Sequence, residues 1–447
     1  MVNKTQTGQS PYIDAFEWAQ KNLNVDEPSW ASTLRRNALD TFNTLGFPVS
    51  RRNNEEWKYT DIRRIASHQF QIRSQPNTTR SILAVESIVK DSAHSNNLVF
   101  VNGSFSDQLS SVDSIPTTVR IGSLSDVIKE DFPVVREHYA THAKFKSNAF
   151  IALNTALVND GAFIYIPDNT EVAEPIHLSF ITAPDDKDIL SNTRVLIVAG
   201  KDSKATIVET YQGTLDREYF TNSVTEAALG PGSTVKYFKI QKQCKNAFHV
   251  TNTEISHQRN SSFSSVNIDL GGSLVRNNLN AYMGGEGSSC KLNGLYMTTG
   301  SQHVDNQIII DHAKPHTVSR ELYKGILNER SRTVFHGSII VRKGAVKVDA
   351  RQEDKNLLLS NEAEADTKPA FWIYCDDVKC AHGAACGQID DEALFYMQSR
   401  GLNESLARRL LITGFLFEII DSIEVASLKS HIECLVSSTL NQWLQNT

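Results

Sequence analysis

The sequence predicts a mainly β protein, a parallel β-helix flanked by helical regions at both ends. Three observations support this prediction. Between residues 98 and 386, apolar and polar residues alternate with period two, as in half-buried strands. Candidate strand starts recur about every 28 residues, which is typical of a solenoid of stacked turns. In residues 1–97 and 387–447, apolar residues recur mainly at helical spacing, so three regions are expected.

The composition argues against nucleic acids and membranes as the main binding partners. The chain has 447 residues, with 45 Lys and Arg against 51 Asp and Glu, for a formal net charge of −6. A nucleic-acid footprint needs concentrated positive charge, so DNA and RNA are not expected as main partners. The most apolar run, residues 410–420, is half the ~20 residues that cross a bilayer. The first residues contain no apolar core typical of a signal peptide. A cytoplasmic protein that does not enter membranes is expected.

The N-terminal region is expected to be helical at first and then to continue as a surface connection. Residues 12–23 and 28–45 carry apolar side chains at helical spacing, and the Gly-Phe-Pro sequence at 46–48 ends the second helix. The polar segment 74–97 predicts a surface connection.

The repeat in the central region can be followed through five candidate strand starts. Their separations are 30, 28, 27 and 28 residues. Polar strand faces and short turns favour a β-helix over a sandwich, although a sandwich or jelly roll stays an alternative. The starts are Ala205, Val235, Phe263, Cys290 and Val318.

Three helices are predicted in the C-terminal region, at 393–400, 403–421 and 427–444. Asn403 is placed to cap the second of them. Capping of the solenoid end is the expected role of these helices, and a groove for a partner is the alternative. The apolar stripe of the second helix contains Leu406, Leu410, Leu411, Phe415, Leu416 and Ile419.

The sharpest chemical feature is a cluster of three cysteines and a histidine within twelve residues, Cys375, Cys380, His382 and Cys386. Thiolate and imidazole are ligands of soft and borderline metals. The C-x4-C-x-H-x3-C spacing is not a familiar zinc pattern, so a stand-alone zinc site is only an alternative. Cys380 and His382 are two residues apart and would share one face of a strand. Cys375 and Cys386 are expected to be small buried side chains, with a bend at Gly383.

Enzymatic alternatives have weaker support. No G-x-x-x-x-G-K-[ST] sequence occurs, so an ATP site is not expected in this chain. A β-helix enzyme acting on polysaccharides is an alternative, but it would be expected to carry a secretion signal. His312 is expected on a surface loop, and Cys290 is expected inside the fold.

Several motifs resemble the SufB/SufD family of iron–sulfur cluster assembly proteins, and the DDVKCxHG block resembles its SufD branch. The resemblance covers most of the chain. The motifs are EWKYT at 56–60, NLLL at 356–359, DTKP at 366–369, DDVKCAHG at 376–383, IDDEALFY at 389–396 and SRG at 399–401.

This resemblance implies a right-handed parallel β-helix between helical regions and a non-catalytic scaffold role. The implied partners are the paralogue SufB, through the β-helix, and the ATPase SufC, through the C-terminal helices. It also implies iron or a transient iron–sulfur cluster at the SufB interface and admits a flavin in the complex. The family's cysteine and histidine fall on Cys380 and His382, whereas Cys375 and Cys386 are not carried over. SufC docking is expected around Asn403, Leu406, Leu410 and Phe415. A lone chain is expected to be able to form a homodimer.

Overall fold

The computed structural model describes residues 11–22, 26–50, 54–72, 79–91, 95–183, 188–214 and 216–445. Its ten described helices are α1 Pro11–Asn22, α2 Ser29–Leu45, α3 Arg63–Ser67, α4 Thr79–Asp91, α5 Leu124–Lys129, α6 Pro133–His138, α7 Ala149–Leu157, α8 Asp391–Ser399, α9 Glu404–Ile420 and α10 Ala426–Gln445. None of the described helices is long and apolar enough to cross a membrane.

Twenty described strands make up the central region. The first ten are β1 Asn96–Val101, β2 Ser104–Phe105, β3 Ser111–Val112, β4 Arg120–Ser123, β5 Asp160–Ile166, β6 Ile176–Thr182, β7 Leu190–Ala199, β8 Lys204–Gly213, β9 Phe220–Leu229 and β10 Thr234–Lys242. The second ten are β11 Phe248–His257, β12 Ser262–Asp269, β13 Leu274–Met283, β14 Ser289–Thr298, β15 His303–His312, β16 Val318–Leu327, β17 Arg332–Val341, β18 Asp349–Leu358, β19 Glu364–Ile373 and β20 Lys379–Gly387.

The strands form two sheets that wind into a parallel solenoid of about seven turns. The even-numbered strands from β6 to β20, together with β1, β2 and β3, make one sheet, here called sheet I. The odd-numbered strands from β5 to β19, together with β4, make the other, sheet II. Within both series every strand pairs in parallel with the strand one turn earlier. The predicted parallel β-helix between helical regions is therefore confirmed.

The predicted repeat is correct for four of its five starts. Ala205 lies opposite Val235, Val235 opposite Phe263, and Phe263 opposite Cys290. The fifth start is wrong by one residue, because Cys290 lies opposite Ser319 rather than Val318. The turn of the solenoid that starts at Cys290 is one residue longer than predicted. Because side chains alternate along a strand, an error of one residue assigns Val318 to the wrong face of the sheet.

The interior of the solenoid combines a large apolar cluster with many buried polar and ionisable side chains. Cys290 is buried there, as predicted. Burying ionisable groups is costly unless they are hydrogen-bonded, and most of these are. The carboxylate of Glu209 accepts hydrogen bonds from the hydroxyls of Tyr211 and Tyr237. The Lys239 ammonium donates to Asn277 at 2.6 Å.

The N-terminal segment packs on the outer face of sheet II. Residues of α2 and α7 join Phe220, Phe248 and Leu274 of that sheet in one apolar cluster. The predicted surface connection at 74–97 contains a helix, α4, that the sequence did not predict. The central region also contains α5, α6 and α7, which strand alternation did not predict. Of these, α7 is mostly apolar and is buried along its whole length.

The C-terminal helices cover a flank of the solenoid rather than its end. Their apolar residues, among them Ile412, Leu416 and Ile432, pack on the outer face of sheet I. The expectation that they cap the end is therefore wrong. The physical reason is an outward stripe on that sheet that is apolar and needs cover, formed by Val208, Phe238, Ile240, Val266, Ile268, Leu295, Met297 and Ile326.

Two interior histidines predict an acid-sensitive fold. His312 was expected on a loop, but it ends β15 and is buried, with its ring bonded to the hydroxyls of Thr317 (2.7 Å) and Ser319 (2.9 Å). Burial lowers the pKa of His257 to about 3 and that of His312 to about 4. The unfolded chain then binds more protons below pH ~6.5, so stability is complete above that pH and falls as the pH drops towards 4.

We expect His257→Gln combined with His312→Gln to flatten this pH dependence. Each histidine accounts for up to about 1.4 kcal/mol per pH unit, because one pKa unit corresponds to that free energy. Urea unfolding between pH 4 and 7.5 measures the effect. His316→Asn, at an exposed turn residue with positive φ, is the control. Equal pH slopes for the double variant and the parent chain would contradict the prediction.

Candidate functional site at the open end of the solenoid

The last turn of the solenoid is exposed at its end. In the described chain, β19 and β20 are the final strands of their sheets, paired only with β17 and β18. Trp372 and Tyr374, at the end of β19 and just after it, are 56% and 63% exposed. An unpaired strand edge with exposed aromatic side chains is a template for pairing with another chain.

Cys380 and His382 lie on this last strand and share one face, as their spacing predicts, and that face is turned to the solenoid interior. Cys380 is opposite Ala350 and His382 is opposite Gln352, and both of those β18 residues are buried. The His382 ring contacts the Phe371 ring edge to face, with centroids 4.5 Å apart. This contact orients the imidazole at the mouth of the solenoid.

The two other cysteines lie in different surroundings. Cys375, in the turn between β19 and β20, is half-buried rather than buried and packs, like Cys380, on an apolar cluster that contains Val341 and Val348. The expectation of a buried Cys386 is wrong, since this residue is exposed. The predicted bend at Gly383 is also wrong, because β20 continues through it in unbroken register. An extended glycine does not interrupt a strand, so Cys386 keeps the inward face of Cys380.

The four residues do not form a closed metal centre within this chain. In the part of the chain that the structure describes, no three Cys, His, Asp or Glu side chains converge as metal ligands would. Partial burial raises the pKa of the Cys380 and Cys386 thiols. Both thiols therefore favour the protonated form until a metal or a neighbouring charge replaces the proton. The arrangement provides an incomplete ligand set that faces a neighbour.

A second exposed surface lies on α8 and α9. Leu406 and Leu410 are 40% and 45% exposed. Asn403 caps α9 by accepting a hydrogen bond from the backbone N–H of Leu406 at 2.8 Å, as predicted. Phe415 instead faces the solenoid, beneath the Lys324 ammonium, which also donates to the Phe415 carbonyl at 2.7 Å.

Sequence reasoning missed three members of this exposed surface. Phe395 and Tyr396 of α8 and Phe417 of α9 are all more than 45% exposed. Phe417 could have been found from spacing, because 406, 410 and 417 share one helical face. The α8 residues carry no such signal, since a single short helix does not show which face its neighbour covers. We call Phe395, Tyr396, Leu406, Leu410 and Phe417 the exposed helical patch.

Thiol reactivity tests the placement of the cysteines. We expect a cysteine-alkylating reagent to modify Cys386 fastest among the cysteines on strands, Cys380 more slowly, and Cys290 only after unfolding. The physical reasons are exposure for Cys386 and complete burial for Cys290, which also raises its pKa. Peptide mass spectrometry over time measures the order. A Cys386→Ser variant is the assignment control, and modification of Cys290 in the native chain would contradict the fold.

Comparison with known proteins gives consistent results along most of the chain. Residues 180–415 match the family model described as SUF system FeS cluster assembly, SufBD core domain. Residues 6–178 match that of the SufBD protein N-terminal region. An iron–sulfur cluster assembly SufBD family protein of Synechocystis is 33% identical over 94% of this chain and 93% of its own length. The iron–sulfur cluster assembly protein SufD of Escherichia coli is 28% identical, covering 88% and 90% of the two chains. The iron–sulfur cluster assembly protein SufD of Bacillus subtilis is 25% identical over 92% of this chain and 94% of its own length.

Proposed function

Because this chain belongs to the SufBD family of iron–sulfur cluster assembly proteins, we propose that it is a non-catalytic scaffold subunit of the Suf complex. The observation that carries the proposal is the open last turn, where Cys380 and His382 face inward beside unpaired strand edges. In this role the chain pairs with SufB, docks the ATPase SufC and holds the nascent cluster, its cargo, between the paired chains.

Pairing with SufB uses β19 and β20. Their outer edges offer backbone N–H and C=O groups to strands of a second chain, and Trp372 and Tyr374 supply apolar area. Main-chain hydrogen bonds between strands depend little on side-chain identity, so a strand edge can pair with any exposed strand of suitable length. The same edges therefore also allow two copies of this chain to pair when SufB is absent.

The cargo ligands are Cys380 and His382. A thiolate and an imidazole suit iron, and SufB supplies the remaining ligands. Holding a cluster between two chains requires each chain to be incomplete as a metal site, which agrees with the lack of a three-ligand cluster among the described residues.

Docking of SufC uses the exposed helical patch. The layer that carries this patch is fastened to sheet I through the Lys324–Phe415 bond, a bond from Asn293 to Ser422 at 2.9 Å, and an ion pair between Lys236 and Glu424. ATP-driven movement of SufC would therefore pull on β10, β14 and β16 of the sheet that ends at β20. Through these contacts, movement driven by ATP hydrolysis in SufC would be transmitted to the last turn of the solenoid, where Cys380 and His382 lie.

We expect His382→Ala to reduce the iron bound per purified SufB-containing complex by about tenfold or more, since even residues behind the ligands cost about 10–100-fold in metal affinity. Anaerobic co-purification followed by iron and sulfide analysis measures it. His316→Asn is the matched histidine control, at an exposed turn away from the mouth. Normal cluster content in an intact His382→Ala complex would refute the ligand role.

We expect Leu406→Asp with Leu410→Asp to abolish SufC capture, because charged groups cannot be desolvated in an apolar interface. Both side chains are exposed, so the fold and SufB pairing should be preserved. Leu83→Asp, at an α4 residue that is 59% exposed, is the control. Native mass spectrometry of the reconstituted complex reads the result, and retained SufC would exclude this docking surface.

A further inference from the structure

A row of positively charged side chains runs across the outer face of sheet I. Lys291, Arg320 and Arg351 lie directly opposite one another on three successive strands of this sheet, β14, β16 and β18. The row continues through Ser264 of β12 to Lys236 of β10. Like charges directly opposite each other destabilise a sheet, so folding stability alone does not favour this arrangement. We call Lys236, Lys291, Arg320 and Arg351 the cationic row.

The cationic row forms one wall of a groove. Two clefts, of about 220 Å³ and about 50 Å³, share Lys291, Asn293 and Ser422 in their linings and therefore form one continuous groove. Ser422, in the turn between α9 and α10, belongs to the opposite wall and accepts a hydrogen bond from the Asn293 amide at 2.9 Å. The groove crosses five strands, from β10 to β18. At ~4.8 Å between neighbouring strands, its length is about 19 Å.

The positive charge along this groove is only partly compensated within the chain. Lys291 is exposed and has no ion-pair partner within 4 Å among the residues that the structure describes. The carboxylates of Glu353 and Glu418 are each shared between two cations. A local excess of positive charge therefore lies on a chain whose net charge is −6. Six cations meet four carboxylates here, namely Lys236, Lys291, Arg320, Lys324, Arg351 and Lys355 against Asp349, Glu353, Glu418 and Glu424.

The ion pairs that the cationic row does form can be exchanged for a ligand. Arg320 pairs with Asp349 at 2.8 Å, and Arg351 pairs with Glu353 at 2.6 Å. The two arginine side chains are 43% and 64% exposed. Exposed ion pairs of this kind contribute little to stability. An incoming carboxylate can therefore take the place of either acidic partner at little cost to the fold.

We propose that this groove binds an extended acidic segment of a partner protein. An extended peptide rises about 3.3 Å per residue, so about six residues match the length of the groove. Alternate side chains of such a peptide point the same way, which places three carboxylates along the cationic row. Guanidinium groups bind carboxylates through paired hydrogen bonds, which suits Arg320 and Arg351. A small phosphate-bearing molecule would contact only part of the row.

This inference goes beyond the proposed function and does not depend on it. The linings of the two clefts contain neither Cys380 nor His382, and no residue of the exposed helical patch. The acidic segment would therefore bind to a surface separate from those proposed for SufB and SufC.

The test uses a fluorescein-labelled hexaglutamate peptide as the probe and the full chain, with fluorescence anisotropy as the measure of Kd. We expect saturable binding that weakens as salt is added, because ions screen exposed charges. Lys291→Glu and Arg351→Glu should each weaken binding about tenfold, since each replaces an attractive charge with a repulsive one. Lys146→Glu is the matched control. It makes the same charge change at an exposed residue before α7, which packs on sheet II, and should bind like the parent chain.

Ser264→Lys provides a variant with the opposite expected sign. Ser264 lies between Lys236 and Lys291 in the row, so a lysine there completes a run of five cations. The added ammonium group should tighten peptide binding, a result that loss of folding cannot imitate.

Three results would overturn the inference. The first is unsaturable binding by the parent chain at low salt. The second is an unchanged Kd in both Lys291→Glu and Arg351→Glu when their melting transitions are intact. The third comes from competition with the labelled peptide. If inorganic pyrophosphate displaces it at a lower concentration than unlabelled hexaglutamate does, the groove is a phosphate site, whereas the reverse order supports an acidic peptide.

Discussion

Parallel in-register stacking is the constraint on which the rest of this structure depends. Each strand places its inward side chains on those of the strand one turn earlier, so every residue inside the solenoid has a neighbour about one strand spacing away. Ala205, Val235, Phe263 and Cys290 follow one such row. A polar residue in one turn therefore meets the next turn at the same position, and its hydrogen bonds must be found there or across the interior.

The same constraint makes the end of the solenoid chemically distinct. Inside the stack, Glu209 and Lys239 find partners on neighbouring turns. In the last turns the row that contains Glu321, Gln352 and His382 has no following strand in the described chain. The His382 imidazole, which the next turn would cover in the middle of the stack, is therefore exposed at the mouth. The stable stack and the exposed site at its last turn therefore both follow from the parallel stacking of successive turns.

The helical layers decide which surfaces stay open. The N-terminal helices cover sheet II, and Arg276, which stacks on Trp57 at 3.7 Å and donates to the Glu56 carbonyl, fixes the EWKYT segment against it. The C-terminal helices cover sheet I. With both flanks covered, the end strands and the exposed helical patch are the prominent apolar surfaces near the cysteine–histidine pair. A partner that joins either surface contacts the solenoid without displacing packed side chains.

The sequence by itself indicated a parallel β-helix, the helical regions at both ends and the shared face of Cys380 and His382. These follow from local periodicity and spacing, because strand alternation and repeat length are properties of the sequence. The family followed instead from the resemblance of several motifs, among them DDVKCAHG at 376–383. Only the tertiary structure decided that the C-terminal helices cover a flank, that Phe415 points inward while Phe417 is exposed, and that Cys386 is exposed. Only the structure placed Glu321, Gln352 and His382 in one row across the last turns. The physical reason is that these three residues are about thirty positions apart in sequence, and only the stacking of successive turns makes them neighbours.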